Sequence, residues 1–128
     1  MRTIGILGLG EGRSTMSAAL NSKKLKLKTI CDLNESLGQQ RCKEFQFNNY
    51  TTRYEDMLND PEIDIIAIYT PDKWHAEHIK QALLHNKHVV CTKPLIDDLS
   101  KAKELLDLAA KTGKKLFVGQ SSRFFEPG

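Results

Sequence analysis

Three observations on the sequence predict a doubly wound parallel α/β sheet. Short β-branched runs alternate with longer stretches of helical period, and several of those runs, such as Ile65-Ile66-Ala67-Ile68, are apolar without interruption. The first run also passes through a glycine-rich turn directly into a helical segment. The candidate strands are Arg2–Leu7, Lys26–Cys31, a weak Asn49–Thr51, Asp64–Tyr69, His88–Cys91 and Lys115–Gly119. The helical segments between them are Ser14–Leu20, Glu35–Phe45, a short Tyr54–Leu58, Lys73–His85 and Ser100–Lys111. In the last of these, Ala102, Leu105, Leu106 and Ala109 fall at i, i+3, i+4 and i+7 and predict one apolar stripe, with Lys101, Lys103, Glu104 and Asp107 off it. Asp60-Pro61 and Thr70-Pro71 stop what precedes them, Ser100 is the expected N-cap of the last helix, and Gly113 the expected left-handed residue after it. Right-handed crossovers then give the strand order 3-2-1-4-5-6, with ligands expected beyond the carboxyl ends of the strands, at the switch between strands 1 and 4.

Composition limits the rest. The chain has 128 residues, enough for one domain of ordinary size. Hydrophobic residues make up 40% and charged residues 27%, so a packed core is expected rather than a disordered or low-complexity chain. A formal charge of +3 argues for neither nucleic acid nor a membrane surface as partner. No apolar run approaches the roughly 20 residues that span a bilayer, and the opening segment is too short and glycine-rich for a signal peptide, so a cytoplasmic location is expected. The cysteines, Cys31, Cys42 and Cys91, are odd in number and form no CxxC pair, so free thiols are expected. His75 and His78 stand three apart on a helix without an acidic or cysteine ligand beside them in sequence, and no metal site is assigned.

The chemistry-bearing residues lie at the strand exits. The first strand leads into Gly8-Leu9-Gly10-Glu11-Gly12-Arg13. Gly8 permits the tight turn, and Gly10, without a Cβ, lets a pyrophosphate approach the amides at the helix N-terminus. The third glycine of a GxGxxG pattern falls at Arg13, with Gly12 one position early. Asp32 ends the second strand roughly 20 residues further on, where an acceptor-only carboxylate can take both hydroxyls of an adenosine ribose. The same charge repels a 2′-phosphate, which favours NAD over NADP, although the Arg13 guanidinium can pair with a phosphate of either. Asp32 also reads as a plain cap for the helix from Glu35. The fourth strand exits at Thr70-Pro71 ahead of Trp74 and His75, and the fifth at Thr92-Lys93-Pro94. Trp74 reads either as a cover over the cofactor or as part of the core. Lys93 reads either as a proton donor and acceptor for a substrate hydroxyl or as a solvated surface lysine.

Taken together, Gly8, Gly10, Asp32, Thr70-Pro71, His75, Lys93-Pro94 and Arg123-Phe124 resemble the N-terminal domain of the glucose-fructose oxidoreductase, inositol dehydrogenase and rhizopine catabolism (Gfo/Idh/MocA) family, in order and over essentially the whole chain. The resemblance implies a Rossmann domain that binds NAD(P). It implies Lys93 as the catalytic lysine, Asp32 and the Gly8/Gly10 turn as adenosine and pyrophosphate contacts, and Thr70, Pro71 and His75 as residues of the cofactor crevice. Arg13 stands where the family usually has a small residue, and Thr92 where many members carry glutamate. Members continue into a second α/β domain that binds substrate and usually forms the oligomer interface. The resemblance thus implies a dinucleotide-binding domain over 1–122 and, over 123–128, the start of a linker to a substrate domain absent from the chain. The activity implied is oxidation of a CH–OH group of a sugar, cyclitol or related polyol, with the domain alone inactive and a homo-oligomer an open expectation. Two other classes stay open at this stage: a dinucleotide-sensing module without catalysis, and a methyltransferase, since Gly8 to Gly12 also spells GxGxG. The second lacks the acidic residue such enzymes usually carry just before the turn, where Ile6 and Leu7 stand.

Overall fold

The computed structural model describes residues 2–10, 13–70, 72–91 and 99–118, with side chains at all of these except 13–14, 72–75, 99–102 and 117–118. Its elements run β1 (Arg2–Leu7), α1 (Arg13–Leu20), β2 (Leu25–Cys31), α2 (Glu35–Phe45), β3 (Tyr50–Thr51) and α3 (Tyr54–Leu58). There follow β4 (Ile65–Ile68), α4 (Asp72–Leu84), β5 (His88–Cys91), α5 (Leu99–Thr112) and β6 (Leu116–Val118). The sheet order is β3-β2-β1-β4-β5-β6 and every pairing is parallel, as the alternation of elements predicts. The expected Lys115–Gly119 strand is Leu116–Val118, and Gly119 lies outside the described residues.

Each continuous apolar strand serves two cores, because successive side chains point to opposite faces. Ile66 and Ile68 of β4 pack with Leu7, Ile79, Leu83, Val89 and Leu105 on the face covered by α4 and α5. Ile65 and Ala67 pack with Ile4, Ile6, Met16, Ala19 and Ile30 on the face covered by α1. Burial on both sides explains why these strands are not alternating, and each fully buried Ile stabilises the fold by about 1.5–3 kcal/mol.

Two details of the helices differ from expectation. Ser100 is the second residue of α5 rather than its cap. Leu106 is 54% exposed, while Leu105 and Ala109 are buried and Leu108 packs against their cluster. The buried stripe of α5 therefore includes Leu108 in place of Leu106, and it joins the cluster that holds Ile79, Ala82 and Leu83 of α4. At the other end Gly113 does take the left-handed conformation, φ +74°, with the Lys114 N–H donating back to the Ala109 carbonyl.

The register decides where a ligand can sit. Leu7 is level with Cys31 and Ile68, Ile68 with Cys91, Cys31 with Thr51, and Cys91 with Val118. The strands thus finish on one line, and the exits of β1, β2 and β4 stand side by side along it.

Candidate functional site

The centre of that edge is built from the turn after β1. The Gly8 N–H donates to the Cys31 carbonyl at 2.9 Å, and the Tyr69 N–H donates to the Leu7 carbonyl at 2.8 Å, so the turn is held between β2 and β4. Gly8 has φ +92°, and a Cβ there would stand 2.7 Å from the Tyr69 carbonyl carbon. Only glycine fits, for both reasons. Gly10 differs, because a Cβ there would meet no atom of the described residues within 4 Å. Among those residues none requires glycine at that position, and the space suits a close ligand instead.

Asp32 joins the turn to β2. Its Oδ2 accepts from the Leu9 N–H at 2.8 Å and its Oδ1 from the Asn34 N–H at 2.8 Å. A carboxylate offers about four acceptor positions, so about two remain for ligand hydroxyls. The reading of Asp32 as the cap of α2 is settled by its neighbour: Asn34 is the N-cap, its Oδ1 accepting from the Leu37 N–H at 3.1 Å. Asn34 stands directly before the helical run, the usual sequence sign of a cap, and Asp32 is left for the turn. The other side of the Leu9 peptide is held as well, since Arg41 Nε donates to the Leu9 carbonyl at 3.0 Å while its Nη1 pairs with Glu44.

At the exit of β4, the hydroxyls of Thr15 and Tyr69 share a buried hydrogen bond that ties α1 to the strand end. Thr70 Oγ1 lies 2.9 Å from His78 Nδ1, and the Tyr54 hydroxyl donates to the His78 carbonyl at 2.8 Å with its ring edge-on to the imidazole. Thr70 is therefore brought to the same edge as Gly8 and Asp32. Cys31 and Cys91, at the ends of β2 and β5, stand outside any disulfide, and burial pushes both thiols up to about 12, which disfavours the thiolate. Among the described residues no group of His, Cys, Asp and Glu is placed to hold a metal ion, and no helix is long and apolar enough to cross a membrane.

Glu11, Gly12, Pro71, Lys93, Pro94, Thr92, Arg123 and Phe124 lie outside the described residues, as do the side chains of Arg13, Trp74 and His75. The backbone puts Arg13 at the first residue of α1 and Trp74 and His75 in the first turn of α4. Arg41 and Tyr50, which support the turn and Asp32, were not legible as site residues, because their contacts span 32 and 18 residues that no local motif records.

Residues 2–120 match the family model of the Gfo/Idh/MocA proteins, described as an oxidoreductase family with an NAD-binding Rossmann fold. The chain is 35% identical over 121 residues to the oxidoreductase YrbE of Bacillus subtilis, covering 94% of this chain and 36% of YrbE. It is 32% identical over 80 residues to the levoglucosan dehydrogenase of Pseudarthrobacter phenanthrenivorans, covering 62% of this chain and 20% of that enzyme. Its fold superposes on biliverdin reductase from Synechocystis, solved with biliverdin and NADP+, with a TM-score of 0.85, 27% identity, and coverage of 91% of this chain and 37% of that one. The matched segment thus spans between a fifth and little more than a third of these proteins. A glycine turn with open space at Gly10 and a carboxylate beside it are what an NAD(P) site requires, and the chain belongs to the Gfo/Idh/MocA oxidoreductase family as its NAD(P)-binding Rossmann domain.

Proposed function

We propose that this domain binds NAD in preference to NADP and serves an oxidoreductase that oxidises a CH–OH group of a sugar, cyclitol or related polyol. The observation that carries the reading is the Asp32 carboxylate, joined to the Leu9 N–H at 2.8 Å beside the open face of Gly10. This pairing supports a ribose on Asp32 and a pyrophosphate over Gly10, and the negative charge opposes a 2′-phosphate. Thr70, at the neighbouring exit, fits the middle of the same crevice, with Pro71, Trp74 and His75 following it in sequence.

When bound, the nicotinamide supplies the hydride acceptor. Lys93, two residues after β5 ends at Cys91, takes the hydroxyl proton as the substrate carbon gives up its hydride, and the ring of Pro94 limits the backbone choices beside it. Residues 1–122 form the cofactor-binding unit, and 123–128 begin the connection to a substrate-binding part. By this reading the unit binds cofactor without turnover, because substrate orientation and water exclusion come from elsewhere.

Calorimetric titration of the chain with NADH, NADPH and S-adenosylmethionine tests the proposal. NADH binds saturably, NADPH at least about tenfold more weakly, a difference of 1.4 kcal/mol, and S-adenosylmethionine not at all. Equal affinity for NADH and NADPH would remove Asp32 as the discriminating group. Binding of S-adenosylmethionine alone would replace the oxidoreductase reading.

A further inference from the structure

The best-supported polar residue of the site is Asp32, and part of its support comes from a strand that carries no site residue. Its N–H donates to the Thr51 carbonyl of β3 at 3.3 Å, and its carboxylate takes the Leu9 and Asn34 N–H groups. Its own carbonyl accepts from the Tyr50 hydroxyl at 2.9 Å, and the same hydroxyl lies 3.4 Å from the Asn34 carbonyl. Tyr50 therefore touches the first and the last of the three residues between β2 and α2.

The ring that delivers this hydroxyl passes over α2 at Gly38. A Cβ on Gly38 would stand 2.1 Å from one ring carbon of Tyr50 and 2.2 Å from the next, so any side chain there displaces the ring. Glycine inside a helix costs about 1 kcal/mol relative to alanine, and nothing in the backbone of α2 calls for it. Its use here is to let the Tyr50 ring lie flat enough on the helix to reach the Asp32 carbonyl.

We propose that Tyr50, seated on Gly38, is a positioning residue for the ribose-binding carboxylate of Asp32. It touches no ligand. It fixes the peptide after Asp32, and with it the direction in which the carboxylate meets both the Leu9 amide and the ribose. The proposal rests on the reading of Asp32 as the ribose acceptor.

The test uses the 128-residue chain with Tyr50→Phe, which keeps the ring and deletes the hydroxyl, and with Gly38→Ala, which displaces the ring, as a second route to losing the same contact. NADH affinity is measured by calorimetry, and amide hydrogen exchange by NMR in the free protein. Loss of one hydroxyl–carbonyl bond is expected to weaken NADH by roughly 3–10-fold. The same change made on an Asp32→Ala background is expected to alter affinity by less than about twofold, because the hydroxyl acts through Asp32. In the free protein, exchange at the Leu9 and Asn34 amides speeds up while exchange at Ile66 in the core does not. Unchanged NADH affinity with unchanged Leu9 and Asn34 exchange would overturn the proposal. So would an equal acceleration across the sheet, which marks a general loss of stability. A wild-type chain that binds no NADH, or an Asp32→Ala chain that binds it as tightly as wild type, overturns the ribose assignment itself, whatever the exchange rates do.

Discussion

Gly8 and Gly10 stand two residues apart in one turn, yet their surroundings ask for glycine on different grounds. At Gly8 the backbone is left-handed and the Tyr69 carbonyl carbon leaves no room for a Cβ, so the demand comes from the protein. At Gly10 no atom of the described residues lies within 4 Å of a Cβ, so by the proposed reading the demand comes from the bound cofactor. Gly8→Ala is therefore expected to destabilise the chain by about 1–3 kcal/mol and lower its melting temperature by several degrees. Gly10→Ala is expected to leave the melting temperature within a degree or two and to weaken NADH by at least about tenfold, which a thermal melt and a titration together resolve. A large stability loss in Gly10→Ala, or none in Gly8→Ala, would reverse the two assignments. The glycine pattern and Asp32 were legible in the sequence because a tight turn and an acceptor carboxylate at a strand exit leave a local signature. Its distant partners were not, since Leu9 and Tyr50 meet it through a fold that spacing alone does not specify.

At the scale of elements, the strands were readable almost residue by residue, because burial on both faces forces an unbroken apolar run such as Ile65 to Ile68. The orientation of α5 was not readable, because Leu105, Leu106, Leu108 and Ala109 allow two overlapping stripes and only the position of α4 chooses between them. The outer strand pair holds a titratable contact that belongs to this scale. His88 opens β5, and its Nδ1 accepts from the Lys115 N–H at 3.1 Å, next to the start of β6. Burial holds its imidazole below the ordinary 6.5, and the nearby positive charges of Arg2, Lys114 and Lys115 act in the same direction. A base whose folded pKa is depressed contributes stability above its unfolded pKa and loses it as pH falls through the folded value. The neutral ring is also the form that can accept at Nδ1. Melting wild type and His88→Gln at pH 7.5 and pH 5 is therefore expected to show wild type losing more stability on acidification than the variant. Parallel losses in the two proteins would mean that His88 does not couple to the β5–β6 pairing.

Across the whole molecule, the two ends of the sheet are built differently. The carboxyl end holds the glycine turn and the half-exposed Asp32, while the amino end carries a polar cluster. There Lys87, 5% exposed, donates from Nζ to the carbonyls of Asp60 and Ile63, and burial lowers its pKa from the usual lysine value. Lys28 bridges Asp60 and Glu62 at 2.6 Å beside it. A buried lysine before β5 gave no sign in the sequence, where it looks like any other surface cation, because its role depends on the loop before β4 folding over it. Lys87→Met keeps the stem and removes the ammonium, leaving two carbonyls without their donor, and is expected to cost about 1–3 kcal/mol. β4 is buried throughout and β5 beyond His88, and the two are paired along their length, so the loss should stay at the end where it is made. Lys87→Met is then expected to lower the melting temperature while leaving the dissociation constant for NADH within about twofold, an energy under 0.5 kcal/mol. A variant that melts like wild type would mean that water replaces the ammonium at no cost. One that loses NADH affinity in step with stability would mean that the two ends of the sheet are coupled, and that the binding edge draws its order from the amino end after all.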